Sequence, residues 1–301
     1  MKQDDGGHMR NPDSSITRRR FLQVLGAGLA LTASGGAGYV YASRIEPEML
    51  AIEHILLRLP RLDPTFNGYR LVQISDIHMD HRHMTRERLL GIVSLINAQQ
   101  PDFVIMTGDF VTRGKATDYA DSVVLPLREL RARDGVAAVL GNHDHWTGAH
   151  AVRQMISASG MIDLNNHVHT QVRGGAQLHI AGVDDVWENQ HRLDKVLDDL
   201  PANGAAILLA HEPDFADESA ATGRFDLQLS GHTHGGQCVL PGGRMPILPV
   251  LGHKYPSGLY RVGDMWQYTN RGLGMVWFPQ IRFNCRPEIS VFTLQAGQVL
   301  K

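Results

Sequence analysis

The chain has 301 residues, 43% hydrophobic and 20% charged, an ordinary globular composition that excludes a disordered or collagen-like chain. Its 29 Lys+Arg and 31 Asp+Glu leave a formal net charge of −2, so no overall basic field is available to hold nucleic acid. Cys238 and Cys285 are too few for a disulfide scaffold or a cysteine-type zinc site, and the sequence leaves open whether they pair. The 16 His residues are the unusual feature, because His is the commonest metal ligand.

The first 43 residues have the order of an export signal. A polar stretch precedes residues 18–22 (Arg-Arg-Arg-Phe-Leu), and a weakly hydrophobic segment follows up to a small-residue site at 40–42. The Arg-Arg-x-Phe-Leu core resembles the bacterial twin-arginine signal. We therefore predict a signal peptide at 1–43, the twin-arginine export machinery as a partner, and a location in the periplasm or cell envelope. An uncleaved anchor is the alternative, since residues 21–42 are just long enough to span a bilayer, and membrane contact is expected only through this segment.

Strand and helix patterns alternate through the next part of the chain. The run Tyr69–Ile74 is rich in strand-forming residues. The stretch Thr85–Ala98 places its apolar residues on one helical face, with Thr85 as the N-cap. The further elements predicted here are a strand at Asp102–Thr107, a helix at Thr117–Arg131, a strand at Gly135–Leu140 and a helix at Ala149–Ser159. This order implies parallel strands joined by right-handed crossovers.

The last part of the chain is richer in strands. They are predicted at Gln177–Gly182, Ala205–Ala210, Asp226–Leu229, Gly258–Val262 and Ile289–Leu294. No linker, repeat or low-complexity run interrupts the chain after residue 44. We therefore expect residues 44–301 to form one domain of the α/β class, a sandwich of mixed sheets.

Five polar clusters each follow a predicted strand. They are Asp76-Ile77-His78, Gly108-Asp109, Gly141-Asn142-His143-Asp144, His211 and Gly231-His232-Thr233-His234. Each cluster by itself is a weak signal, because a Gly-Asp pair is a common turn and a lone His after a strand is usually an ordinary polar residue. In α/β sheets, however, ligands bind where loops converge at the carboxyl ends of the strands. Five clusters at such positions therefore predict one shared site.

The residue types indicate a metal site. Asp, Asn and His offer oxygen and nitrogen ligands without thiolate, a set that suits Mn, Fe, Zn or Ni. Asp76 and His78 are one residue apart on a segment expected to be extended, so both side chains should point the same way and bind one ion. His232 and His234 repeat this spacing. There are enough ligands for two divalent or trivalent ions, which a shared carboxylate would hold ~3.5–4 Å apart.

The order of these motifs resembles the calcineurin-like metallophosphoesterase superfamily. The bacterial exported phosphodiesterase branch is the closer match, through residues 74–78 (Ile-Ser-Asp-Ile-His), 181–185 (Ala-Gly-Val-Asp-Asp), 230–237 (Ser-Gly-His-Thr-His-Gly-Gly-Gln) and 271–274 (Arg-Gly-Leu-Gly). The resemblance covers roughly residues 50–297 and implies a four-layer α/β/β/α fold, a mixed-sheet β-sandwich flanked by helices. Residues 44–301 are then a phosphoesterase domain.

The resemblance also implies a role for each motif residue. It assigns one metal to Asp76, His78 and His234. It assigns Asp109 as the bridge and Asn142, His211 and His232 to the second metal. His143 is implied to contact the scissile phosphate and to protonate the leaving oxygen, and Asp144 is implied to orient His143.

The function implied is a dinuclear metal-dependent phosphoesterase, more specifically a phosphodiesterase, whose metal-bridging hydroxide attacks phosphorus in line. Its substrate is expected to be a phosphate ester, and the charge balance disfavours nucleic acid. One alternative is a membrane-associated pyrophosphate hydrolase of the UDP-diacylglucosamine type. The other is a non-enzymatic metal-binding protein of the envelope, which would not need His143.

Several neighbours of the clusters are candidates either for the rim of the site or for ordinary surface loops. They are His81, Arg82, His83, Arg113, His145, Trp146, Asp184 and Asp185. Residues 108–114 resemble a motif of the phosphoprotein phosphatase branch but carry Thr112 in place of its Asp. Cys238, four residues after His234, is expected to be a buried structural cysteine.

Overall fold

The computed structural model describes residues 35–276 and 280–297. The chain divides into two compact units, residues 1–41 and 42–301. In the first unit residues 35–40 are helical, and the predicted twin-arginine signal lies, up to residue 34, outside the described residues. No helix among residues 35–276 and 280–297 combines the length and the apolar character that a membrane crossing requires.

The second unit contains two six-stranded mixed sheets. The strands are β1 Ala51–Leu59, β2 Tyr69–Ile74, β3 Phe103–Thr107, β4 Gly135–Val139, β5 Ile162–Asp163, β6 His167–Arg173, β7 Ala176–Gly182, β8 Ala205–Leu209, β9 Leu227–Ser230, β10 Gly258–Val262, β11 Met265–Thr269 and β12 Glu288–Ala296. The first sheet has the order β1-β12-β2-β3-β4-β5, and the second has the order β10-β11-β9-β8-β7-β6. The central strands β2, β3 and β4 run parallel, as do β7, β8, β9 and β11.

Helices cover the outer face of each sheet. They are α1 Arg86–Ala98, α2 Ala120–Leu127, α3 Asn142–Ala158, α4 Leu193–Asp199 and α5 Ala216–Ala221. Shorter helical turns occupy Tyr41–Ile45, Glu46–Glu48, Pro64–Phe66, Ala116–Tyr119, Pro213–Phe215 and His234–Gly236. Three buried apolar clusters form the core: one between α1, α2, α3 and the first sheet, one between the sheets, and one between the second sheet, α4 and α5. The fold is the four-layer α/β/β/α sandwich that the sequence predicted.

The structure confirms the predicted strand β2 and the predicted start of helix α1. β2 occupies the predicted residues Tyr69–Ile74. Helix α1 begins directly after Thr85, whose side-chain oxygen accepts a hydrogen bond from the Arg88 backbone N–H at 3.4 Å. Its inward residues Leu89, Ile92, Val93 and Ile96 are all buried. A periodic apolar face with a cap residue is thus sufficient to place a helix.

Two predicted helices have different bounds. The stretch expected as one helix at Thr117–Arg131 is a 3₁₀ turn followed by α2. Helix α2 ends at Leu127, and the chain then continues in tight turns toward β4. Helix α3 starts at Asn142, seven residues before the predicted Ala149, and is interrupted at Gly148, where φ is 127°. The residues read as a polar loop before α3 therefore form its first turns.

The strands without a prediction lie mostly at sheet edges or pair with distant segments. Among the described strands β1 lies at an edge and pairs with β12, which is more than 200 residues away along the chain. β6 is the opposite edge of the second sheet and alternates little between buried and exposed residues. Such strands depend on their partners and carry a weak local pattern.

Candidate metal centre

All five polar clusters lie at the carboxyl ends of strands, as predicted. Loops after β2, β3 and β4 carry Asp76, Asp109 and Asn142, and loops after β8 and β9 carry the three histidines His211, His232 and His234. The first sheet thus supplies the carboxylates and the amide, and the second sheet supplies most of the imidazoles. The site is formed where these edges of the two sheets meet.

A left-handed backbone, and not an extended one, brings Asp76 and His78 together. Their φ angles are 49° and 47°, so the expectation that alternation along a strand aligns them is wrong. Asp and His tolerate this region better than most residues. The backbone N–H groups of both residues donate to the loop after β3, to Gly108 O at 2.9 Å and Asp109 O at 3.0 Å. The two loops therefore hold each other in place.

The second sheet repeats this device at His232 and His234, whose φ angles are 71° and 53°. The His232 backbone N–H donates to both carboxylate oxygens of Asp76 at 3.1 Å. With Asp109, at φ 60°, five of the seven predicted ligands have a left-handed backbone. Such strained conformations persist where the surrounding structure enforces them, and they concentrate at functional sites.

Carboxylate oxygens and imidazole nitrogens face one another across this site. His78 Nε2 lies 3.3 Å from Asp109 Oδ2 and 3.8 Å from Asp76 Oδ1. His211 Nε2 lies 3.2 Å from Asp109 Oδ2, and His234 Nε2 lies 3.3 Å from Asp76 Oδ1. Asp76, His78 and His234 form one group able to hold a metal ion, and Asp76, Asp109 and His211 form another. Asp109 thus faces His78, a predicted ligand of one metal, and His211, a predicted ligand of the other, as a bridging residue would.

The donor atoms fit metal ions because they have no other partner within the described part of the chain. These buried atoms are His78 Nε2, Asn142 Oδ1, His211 Nε2 and His234 Nε2. Buried polar atoms are almost always hydrogen-bonded, so several unpaired ones at one point indicate a missing ligand. His211 shows the arrangement clearly: its Nδ1 is 2.5 Å from Thr107 O and donates there, so Nε2 is the nitrogen that faces Asp109.

The site couples its titratable groups strongly. Burial opposes the charged form of Asp109, but the neighbouring His211 outweighs it and holds the pKa of Asp109 well below its usual value. For His211, burial is likewise outweighed by Asp109, and the pKa of the imidazole is raised well above its usual value. Burial lowers the pKa of His78 to about 4, so this imidazole is neutral near pH 7, the form that binds metals.

Asn142 and His232 lie beside this group. Asn142 is the first residue of α3, and its side-chain oxygen is buried. His232 Nε2 donates to Val250 O at 2.8 Å, because a carbonyl oxygen can only accept, and Nδ1 is left as the nitrogen with the free lone pair. The His232 and His211 rings are 4.9 Å apart. Five of the seven predicted ligands belong to the groups able to hold a metal, and Asn142 and His232 line the same cavity as Asp109 and His234.

Asp144 binds backbone groups of two neighbouring loops. Its carboxylate accepts three backbone N–H bonds, from Asp109 and Phe110 at 2.8 Å and from Gly141 at 3.0 Å. Burial, with the negative charge of Asp109, raises the pKa of Asp144 to about 7. These bonds fix the loop that carries Asp109 and the start of α3, the turn on which His143 lies, and the role of Asp144 in orienting His143 stays a prediction.

His143 is held by a backbone carbonyl. Its Nδ1 is 2.9 Å from Thr112 O, so Nδ1 is the donor and Nε2 is the nitrogen left for the site. The ring meets His78 edge to face at 4.8 Å and can join His78 and Asp109 in a third group of potential metal ligands. Thr112, noted in the sequence for replacing an Asp, therefore contributes through its main chain.

A cavity of about 360 Å³ opens onto these residues. Besides Asp109, Asn142, His143, His232 and His234 its walls include Thr112, Arg113, Trp146, Trp187, Pro249 and Val276. Of the predicted rim candidates, Arg113 and Trp146 therefore face the site.

The other rim candidates have other contacts. His145 and Asp184 form an ion pair at 2.8 Å, which Arg153 joins at 2.6 Å from Asp184. The hydrogen bond that His145 donates to Asp184 raises the pKa of His145. His81 stacks on Tyr119 with ring centroids 4.9 Å apart. Three further backbone N–H groups, those of Arg82, His83 and Met84, donate to Asp80.

A segment far along the chain supports the first metal group, and only its resemblance to a family motif pointed to it. The Leu273 and Gly274 backbone N–H groups donate to Asp76 O at 3.2 and 2.7 Å. A Cβ at Gly274 would lie 2.7 Å from His78 Cβ, so only glycine fits there. The fully buried guanidinium of Arg282 in turn donates to carbonyls of this segment, at 2.9 Å for Arg271 O and 3.1 Å for Gly272 O.

Glu212 and Cys285 also support the site, and no sequence motif predicted a role for either residue. Glu212, directly after His211, accepts from the Val186 and Trp187 backbone N–H groups at 3.2 and 3.0 Å and so fixes the loop after β7. Both cysteines are free thiols in the part of the chain that the structure describes. Cys285, and not Cys238, is the buried one, and its Sγ donates to His234 O at 3.1 Å; Cys238 is only partly buried, against expectation.

Known proteins share this sequence pattern. The family model described as calcineurin-like phosphoesterase matches residues 69–236, more than half of the chain. The chain is 36% identical over 284 residues to YkuE of Bacillus subtilis (strain 168), an uncharacterized metallophosphoesterase, covering 93% of this chain and 98% of that protein. It is 30% identical over 284 residues to the phosphodiesterase YaeI of Escherichia coli (strain K12), covering 93% of this chain and 99% of that one.

Proposed function

We propose that this chain, which belongs to the calcineurin-like phosphoesterase family, is a phosphodiesterase of the cell envelope with two metal ions in its site. The family uses a dinuclear metal site, and membership makes this chain a metal-dependent hydrolase of phosphate esters. The non-enzymatic alternative is therefore set aside. The finer statements, namely the diester substrate, the ligand assignments and the location, are the proposal.

One observation carries the metal assignment: buried imidazole nitrogens converge on two carboxylates, and these nitrogens and the buried Asn142 amide oxygen have no hydrogen-bond partner among the described residues. In the proposed arrangement Asp76, His78 and His234 hold one ion. Asp109 bridges, and the second ion is held by Asn142, His211 and His232. Such a pair of ions supplies the positive charge that activates water at neutral pH and neutralises phosphoryl oxygens.

His143 is proposed as the proton donor to the leaving oxygen. The hydrogen bond of Nδ1–H to Thr112 O fixes the ring, so Nε2 is the atom that carries the transferable proton into the cavity. Arg113 lines the same cavity and can contact a phosphoryl oxygen with its guanidinium. Asp144 is proposed to act indirectly, through the positions of Asp109 and His143. Its carboxylate holds the Asp109 backbone and the first turn of α3 together.

A diester substrate is supported by the name of the relative YaeI, a phosphodiesterase. The envelope location is supported by the order of residues 1–43, with Arg18 and Arg19 before the apolar segment. The pyrophosphate hydrolase alternative stays open as a substrate class, and it requires the catalytic site to face the cytoplasm.

The activity is tested on the full chain with bis-p-nitrophenyl phosphate and added manganese. Wild type is expected to release p-nitrophenol, while Asp109→Ala loses most of the rate. His143→Ala should lose less, because p-nitrophenolate departs without a proton. His54→Ala is the matched control, because His54 is an exposed residue of the edge strand β1. A wild type without activity in any of Mn, Fe, Zn and Ni contradicts the phosphodiesterase proposal, and full activity in Asp109→Ala contradicts the bridged pair of metals.

The location is tested by fractionating a bacterial host that makes the full chain. The wild type is expected in the periplasmic or envelope fraction. The double variant Arg18→Lys/Arg19→Lys keeps the charge but removes the arginine pair, so it should accumulate in the cytoplasm. Arg10→Lys, outside the motif, is the control. Equal export of the double variant contradicts the twin-arginine proposal without affecting the activity.

A further inference from the structure

Two tryptophans form a corner at the mouth of the cavity. Trp146 lies in the first turns of α3 and Trp187 lies in the loop after β7, 41 positions later. Their ring centroids are 5.6 Å apart and their planes cross at 81°. Both rings line the cavity, although 53% of Trp146 and 37% of Trp187 is exposed. We name this pair the indole corner.

Polar contacts anchor the indole corner at the Trp146 ring and at the Trp187 backbone. Trp146 Nε1 donates to Glu188 Oε1 at 2.8 Å, and the Trp187 backbone N–H donates to the buried carboxylate of Glu212 at 3.0 Å. A large aromatic side chain that is fixed and yet exposed keeps apolar surface in water, which is unfavourable unless a ligand covers it. The fixed geometry therefore indicates a binding surface.

The indole corner adjoins the proposed chemistry. The Trp146 ring is 4.7 Å from the His143 ring, and the Trp187 ring meets His232 edge to face at 5.5 Å. A phosphoryl group between the metal ligands and His143 would therefore place one of its ester groups against the two indoles. This places the corner on the substrate side of the site.

We propose that the indole corner is a subsite for a flat aromatic ring, of the nucleobase or aryl class, carried by one ester group of the substrate. The inference rests on the phosphodiesterase function proposed above. A ring stacked on one indole presents its edge to the other, which is the pairing that aromatic quadrupoles favour. Two polar groups, Glu188 on the Trp146 ring and Arg113 in the wall of the same cavity, suit a ring with hydrogen-bonding substituents.

The cavity size favours a ring over a long alkyl chain. Its volume of about 360 Å³ includes the space next to the metal ligands, which leaves room for a phosphoryl group and a ring system. An alkyl chain would gain from apolar area alone and has no preference for two perpendicular ring faces. The alkyl class is therefore the outcome that the experiment must exclude.

The test compares three phosphonates that share one head group on the manganese-loaded full chain. Phenylphosphonate, methylphosphonate and octylphosphonate are measured as competitive inhibitors of bis-p-nitrophenyl phosphate hydrolysis, and their binding is also followed by isothermal titration calorimetry. Wild type is expected to bind the phenyl compound about tenfold tighter than the methyl compound. The double variant Trp146→Leu/Trp187→Leu keeps apolar bulk, so it should lower this ratio to about two or less and leave methylphosphonate binding unchanged.

Trp266→Leu is the matched control, because this third tryptophan lies on β11 under Arg261, in a different cavity. It should retain the wild-type ratio. If the Leu double variant does not fold, the single variants Trp146→Phe and Trp187→Phe, which keep a ring, should each retain most of the preference. The inference is overturned if the double variant keeps the full phenyl preference, or if octylphosphonate binds tighter than phenylphosphonate and depends equally on the corner. Absence of wild-type hydrolysis would instead contradict the phosphodiesterase function itself.

Discussion

Charged residues are paired at one end of the β-sandwich, whereas imidazole nitrogens at the other end lack hydrogen-bond partners among the described residues. At the amino ends of β3 and β4, Asp102 and Asp134 share the guanidinium of Arg173, at 3.4 and 2.7 Å. At the carboxyl ends, Asp76 and Asp109 face imidazole nitrogens at 3.2 to 3.8 Å without completing hydrogen bonds to them. One end pairs its charges, and the other keeps donor atoms unpaired.

The difference indicates which end stabilises the fold and which end performs chemistry. Paired charges with hydrogen bonds offset the cost of burying carboxylates. Unpaired buried nitrogens are unfavourable by themselves and are retained where a ligand satisfies them. Substitutions at the carboxyl end should therefore change activity and metal binding, whereas substitutions at the amino end should change only the free energy of unfolding.

The largest expected effect comes from the proposed bridging residue. Asp109→Asn removes the charge shared by both metal groups, so kcat/KM should fall by about 10³-fold and the bound metal should fall below two ions per chain. Turnover of bis-p-nitrophenyl phosphate and metal analysis of the purified chain measure both. Asp134→Asn, the same change at the amino end, should stay within about twofold of wild type. Equal losses in the two variants would remove the distinction between the ends.

The next effect concerns the proposed acid. His143→Ala should lower kcat by about 100-fold for a substrate with a poor leaving group. p-Nitrophenolate is a stable anion that departs without a proton, so the loss should be clearly smaller for it. Thymidine 5′-p-nitrophenyl phosphate and a thymidine dinucleotide provide this comparison. The same loss with both substrates would be inconsistent with proton donation and would indicate a binding role.

Metal binding should also stabilise the fold. An ion at 100 times its dissociation constant adds about 2.7 kcal/mol to the free energy of unfolding, which raises Tm by a few degrees in a chain of this size. His234→Ala removes a proposed ligand and should reduce the rise. Arg173→Met should show the full rise from a lower starting Tm. Thermal unfolding in manganese and in chelator measures the difference, and no rise in wild type would speak against the metal site.

The smallest effect is expected at the amino end. Arg173→Met leaves two largely buried carboxylates without their shared cation, so the free energy of unfolding should fall by about 1–2 kcal/mol while kcat/KM is unchanged. Urea unfolding provides the value. Arg192→Met is the control, because the Arg192–Asp194 pair is more than 60% exposed on both sides and should contribute almost nothing. A larger loss of unfolding free energy in Arg192→Met than in Arg173→Met would contradict the stabilising role of the amino end.

Much of the fold could be predicted from local patterns. The β2 residues Tyr69–Ile74 and the apolar face of α1 follow from strand and helix periodicity. β1 could not be predicted in this way, because its partner β12 lies at the other end of the sequence. The start of α3 was also missed, because Gly141 and Asp144 read as a turn, and only the bonds of Asp144 to the β3 loop show them as a helix start.

The sequence by itself determined the order of the metal-binding residue types and their places after apolar runs. That was enough to predict one shared site, because the carboxyl ends of parallel strands converge. The tertiary structure decided the contacts between loops: the left-handed turns at Asp76 and His78, the Thr112 carbonyl on His143, and the meeting of Trp146 with Trp187. These contacts join segments from separate parts of the chain, so no local pattern records them.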